Sequence, residues 1–85
     1  MWEVWYELGH ALMVAKEWKS ALSVLERGRQ ESLKFQFLPA ITNFCSAMAQ
    51  CYLNLNNKLS ARVMVNEALQ GDPNNAEALE VQGQL

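Results

Sequence analysis

An all-α fold of antiparallel helix hairpins, stacked side by side, is the expectation for this chain, and three observations carry it. Trp5, Leu8, Gly9, Leu12, Ala21 and Leu25 align, forty residues on, with Cys45, Met48, Ala49, Tyr52, Ala61 and Val65. The opening of the same pattern returns thirty-four residues later as Leu79, Gln82 and Gly83. Within each copy the apolar positions recur at three and four, the period of a one-faced helix. A sequence period this long belongs to supersecondary units that cover each other's apolar faces.

The first helix is expected over residues 4–14, where Val4, Trp5, Leu8, Ala11 and Leu12 share a face. Trp18, Ala21, Leu22 and Leu25 restart the count after Lys16 and Glu17, so a turn falls there and a second helix runs over 17–34. Pro39 suits the first turn of a third helix, since its missing amide hydrogen would have no helical partner. That helix reaches about residue 55, where Asn54, Asn56 and Asn57 supply turn-forming side chains. A fourth covers 58–70, stopped by Gly71, Asp72 and Pro73, and a fifth begins near Asn75. Every connection is short enough for antiparallel neighbours, which makes one domain of repeats 4–38 and 39–74 and the start of a third over 75–85.

Half of the 85 residues are apolar (51%) and 19% are charged, a balance that supports a core and argues against a disordered tail. Seven basic residues against nine acidic ones, scattered among Glu26, Glu31 and Glu67, make no footprint for a phosphate backbone, so no nucleic acid is expected. Met1 to Trp5 has neither the basic stretch nor the apolar run of a signal peptide. Residues 35–57 carry no charge, yet Gln36, Asn43, Gln50 and Asn57 recur every seven positions and Pro39 interrupts the run. That pattern fits an inner helix with an amide stripe, not a membrane span. Cys45 and Cys51 lie six apart on one helix, about 9 Å along its axis, beyond the reach of a disulfide. Both read as buried thiols of a reducing compartment, the cytosol or nucleus.

Two helices approach closely only where one lacks bulk. Gly9, Ala49 and Gly83 supply that notch on the first helices and Ala21 and Ala61 on their partners, while Gly28 and Ala68 let the next hairpin press in. A plain helical bundle has no reason to keep the same sixteen-residue gap from Trp5 to Ala21 and from Cys45 to Ala61.

With these residues the chain resembles the tetratricopeptide repeat, whose units pair a first helix carrying a large residue, Leu, Gly and Tyr with a second carrying Ala, an aromatic and Ala, ending at Pro. Ala68, Leu69, Asp72, Pro73 and Asn74 form the most family-like stretch, and the resemblance covers residues 4–85. It implies a right-handed superhelix of about five helices. The chain departs from the pattern at Leu33, where Pro would close the first unit, and at Lys58, where an aromatic is usual. The gap from Gly28 to Cys45 is six residues longer than that from Ala68 to Leu79, nearer the longer-helix variants.

The resemblance implies a concave groove along the first helices that takes a partner peptide or helix. Carried onto this sequence, the groove shows Glu3, Tyr6, His10 and Met13, then Asn43, Ser46, Gln50 and Leu53, then Glu77, Glu80 and Gln84. Side-chain amides such as Asn43 and Gln50 can donate to a peptide carbonyl and accept from its amide at once. Glu77 and Glu80 favour a ligand with a Lys or Arg at that end. The family's clamp for acidic chaperone tails needs Lys and Arg where this chain has Tyr6, His10, Ser46, Glu77, Glu80 and Val81, so that role is not expected.

Phe35, Phe37 and Leu38 are read as packing over the joint between hairpins, with an exposed ridge as the alternative; Trp2 poses the same choice at the open end. His10, the only histidine, has Glu7 as an ordinary helix neighbour, and no cofactor, metal site or catalytic constellation is expected. The leading functional expectation is a non-enzymatic protein-interaction scaffold module, a fragment of a longer protein in a larger assembly. A competing one is self-assembly, in which an uncovered Ala78, Leu79 and Val81 face docks the C-terminal helix onto another copy, as a homodimer, a structural building block or a secretion-type chaperone.

Overall fold

A computed structural model describes residues 2–85, Trp2 by its backbone alone, so the position of the Trp2 side chain lies outside the described residues. Five helices follow one another: α1 (Trp2–Val14), α2 (Trp18–Lys34), α3 (Leu38–Asn54), α4 (Lys58–Gly71) and α5 (Ala76–Gly83). No strand occurs among the described residues. Consecutive helices pack as hairpins, and α3 at the centre touches the other four.

The first three connections share one device. Lys16, Gln36 and Asn56 take left-handed backbone angles (φ 62°, 53° and 62°), twenty residues apart. In each, the next amide reaches back five residues, Glu17 to Leu12 at 2.8 Å, Phe37 to Ser32 at 3.1 Å and Asn57 to Tyr52 at 2.9 Å. The left-handed residue itself reaches back three, which completes a Schellman closure that satisfies two terminal carbonyls. Asn57 then caps α4 by accepting from the Ser60 amide at 3.2 Å, and Asn75 caps α5 by accepting from Ala78 at 2.9 Å. Gly71 ends α4 without a left-handed angle. Its bareness serves proximity, because a Cβ there would sit 2.5 Å from Thr42 Oγ1.

The repeat register reappears in the packing. A Cβ on Gly9 would lie 2.7 Å from Leu25 Cγ. Forty residues on, Ala49 is fully buried in one cluster with Val65. At the joint, a Cβ on Gly28 would collide with the Phe44 ring and lie 2.8 Å from Trp5 Cβ, and the corresponding Ala68 shares a cluster with Cys45 and Ala78. Gly83 alone of the expected notches meets nothing within 4 Å, since no described element lies opposite it.

The six additional residues of the first joint become helix. α2 has 17 residues against 14 in α4, and α3 begins seven residues before Cys45 whereas α5 begins three before Leu79. The α2–α3 corner therefore projects, and the expected packing of its apolar residues over the joint is corrected: Phe35 is 78% exposed, Leu38 53% and Phe37 44%. A second correction concerns α5. Ala78 and Val81 are buried against α3 and α4, and only Leu79, a third of a turn away from Ala78, stays exposed. Among the described residues no helix is long and apolar enough to cross a membrane.

Candidate partner-binding face

Tyr6 projects from α1 onto α3, its ring edge-on to Phe44 with centroids 5.5 Å apart. One turn on, His10 lies 5.7 Å from the same ring, tilted by 34°. Ser46 of α3 gives its hydroxyl hydrogen to the Asn43 carbonyl at 3.0 Å. From α5, Glu77 brings a carboxylate to this place. Its Oε1 is shielded from solvent and has no hydrogen-bond partner among the described residues. Burial raises the Glu77 pKa, and the Ser46 hydroxyl and His10 draw it back only in part, while Glu80 adds to the rise. The carboxylate in turn acts on its surroundings. Tyr6 is pushed up by burial and by Glu77, and Cys51 is pushed up to about 12 for the same two reasons. Three helices thus converge on one half-buried acid, beside an aromatic and an imidazole.

The expected groove residues divide on this geometry. Tyr6, His10, Ser46, Glu77 and Glu80 come together electrostatically. Glu3 and Gln84 are exposed at the ends of α1 and α5, apart from that cluster. Gln50 and Asn43 are half-buried on α3, and Asn43 lines a depression of about 390 Å³ with Leu38, Pro39, Thr42, Gly71 and Asp72. Met13 and Ser46 are corrected from open lining to buried positions, 9% and 2% exposed. Met13 joins Leu25, Met48 and Cys51 in the central cluster, and Ser46 lies where α5 comes down on α3. Leu53 is half-buried against Ala49, Val65 and Val81.

Two features escape a reading of periodicity. Trp5, expected as packing bulk, also donates its indole N–H to Glu31 at 3.0 Å and carries Arg27 5.3 Å above its ring. Charges that look scattered along the chain meet in space, for Arg29 of α2 pairs with Glu26 at 3.2 Å and with Glu67 of α4 at 2.5 Å. Charge spacing of three or four within α2 was a legible signal for the first pair; none existed for the second.

Cys45 and Cys51 are free and buried, and burial lifts Cys45 to about 11. Neither is a thiolate nucleophile at neutral pH. Among the described residues no group of three His, Cys, Asp or Glu side chains gathers as metal ligands would. No protein-family model, curated protein or solved structure matches this chain.

Proposed function

We propose that the chain is a tetratricopeptide-like protein-interaction module, with α1–α2 and α3–α4 as successive hairpins of a right-handed superhelix and α5 opening a third. In this reading it does no chemistry of its own and holds a partner peptide or helix along α1, α3 and α5, as part of a larger assembly. The observation that carries it is the convergence of Tyr6, Ser46 and Glu77 from those three helices on one face. Recurrence of the Gly9–Leu25 contact forty residues on, as Ala49 with Val65, and of a small residue at the joint, Gly28 at Phe44 and Ala68 at Ala78, supports the hairpin stack. The unpaired carboxylate oxygen of Glu77, with Glu80 beside it, suits a peptide that brings a Lys or Arg. Two buried thiols suit a reducing compartment, cytoplasm or nucleus.

Selection of binders from a displayed peptide library tests this reading. Enriched peptides should carry a basic residue and lose affinity about two- to fivefold on Glu80→Gln, the range for an exposed charge pair. Substituting Asn43 and Gln50 together by Ala should weaken the same peptides with thermal stability nearly unchanged. Undiminished affinity in both variants would remove the groove assignment.

A further inference from the structure

Two helices carry the same surface motif with opposite charge. On α1, Glu3 and Glu7 each precede an apolar residue, Val4 and Leu8; on α4, Lys58 and Arg62 each precede one, Leu59 and Val63. All eight side chains are exposed, Leu59 by 76% and Val4 by 61%. Residues four apart share a helix face, so each helix presents a two-turn apolar row with a row of charges along one edge. The edge is the same on both helices, because in each the charge stands one position ahead of its apolar neighbour. The α1 strip lies on the opposite side of that helix from Tyr6, and the α4 strip faces away from α3 and α5, on which α4 packs.

Strips of this kind fit each other in one arrangement. When one helix is laid face-down on another, their charged edges fall on the same side only if the two run antiparallel. Val4 then meets Val63 and Leu8 meets Leu59, while Glu3 faces Arg62 and Glu7 faces Lys58. Two copies of α1, or two of α4, laid together in that way would set like charges edge to edge, which opposes pairing. Within one molecule α1 and α4 do not touch, so the match is made only between molecules. We infer that the protein associates with itself head to tail, the Val4–Leu8 strip of α1 in one copy lying antiparallel on the Leu59–Val63 strip of α4 in the next. A second copy is the occupant because the chain itself carries the complement in spacing, in charged edge and in sign. Two turns against two turns is a small contact of the transient class, held by charge as well as by burial.

Charge exchange tests this in the 85-residue chain. Sedimentation over rising protein concentration should show the parent associating weakly and reversibly, and less so as salt is added. Glu3→Lys with Glu7→Lys makes one variant, and Lys58→Glu with Arg62→Glu makes a second. Each alone should associate at least about tenfold more weakly than the parent, since each carries one sign of charge on both strips. Mixed in equal amounts the two should associate again, with the largest amide chemical-shift changes on mixing in residues 3–8 and 58–63. Both variants should keep the helical signal of the parent, because the four side chains are exposed. A parent that stays monomeric at every concentration would overturn the inference and leave the two strips to other proteins. Association that survives either double reversal, a mixture that stays monomeric, or shifts centred on Phe35, Leu79 or Gly83 would overturn it equally.

Discussion

Arg29 of α2 holds the Glu67 carboxylate of α4 at 2.5 Å, joining two helices whose Cα traces nowhere come within 8 Å of each other. Both helices pack on α3 between them, and the pair closes over its buried Cys45. Burial alone would lower the Arg29 pKa, and the hydrogen bond and charge of Glu67 more than reverse that. The Arg29 side chain is 15% exposed and Glu67 36%, so the pair is worth more than a free surface bridge and less than a fully buried one. Glu67→Gln is expected to cost about 1–2 kcal/mol, read from the urea midpoint at constant slope. A change below a few tenths would mean that the pair does not hold the two helices.

The Gly28–Phe44 contact sets the α2–α3 joint. Gly28→Ala places a methyl against the Phe44 ring and Trp5 Cβ, and overpacking of this kind costs about 1–3 kcal/mol in spite of the better helix propensity of alanine. In a Phe44→Leu background the same alanine should cost less. Equal costs in the two backgrounds would show that the clash lies elsewhere.

Gln36 and Lys16 pay for their left-handed backbone, about 1–2 kcal/mol by the steric argument for an L-residue. Glycine removes that strain and returns part of the gain to the more flexible unfolded chain. Gln36→Gly should therefore raise stability by about 0.5–1 kcal/mol in thermal or urea unfolding, and Lys16→Gly similarly. Asn56→Gly should gain less, since asparagine tolerates the left-handed region.

Glu77 gives the fold a pH dependence of definite sign. Its folded pKa is raised above the ordinary glutamate range by burial, so the folded chain binds that proton more tightly than the unfolded one. The stabilisation is present in full below the unfolded pKa and is lost as pH rises through the folded value. Glu77→Gln should flatten that decline, and its melting temperature relative to the parent should climb with pH from about the ordinary carboxylate range upward. The groups that face Glu77, His10 and Tyr6 from α1, Ser46 and Cys51 from α3 and Glu80 from α5, remain in both proteins. A constant difference across the range would mean that Glu77 titrates as a solvent-exposed acid.

Helix boundaries were legible because local chemistry sets them. Pro39 stands in the first turn of α3, Asn57 and Asn75 accept the first free amides of α4 and α5, and Trp18 starts α2 one residue after the expected position. The narrow positions Gly9, Gly28, Ala61 and Ala68 also sit where the forty-residue register places them. Of the candidate site, Tyr6, His10, Ser46, Glu77 and Glu80 are positions that the tetratricopeptide resemblance implies for the groove, carried onto this sequence residue by residue. Met13 and Ser46 of the implied groove set are covered by neighbouring helices, which no single-helix pattern encodes.

By itself, then, the amino-acid order determined the helices, their turns and the small residues at which they cross, since each depends on neighbours within a turn or two. The tertiary structure decided which charges meet, as Arg29 and Glu67 do across 38 positions, why Phe35 stands in solvent, and how deeply Glu77 is sunk. Those outcomes depend on how far each helix runs past its crossing point and on what lies opposite. Both are properties of elements distant in the chain, and only their packing brings them together.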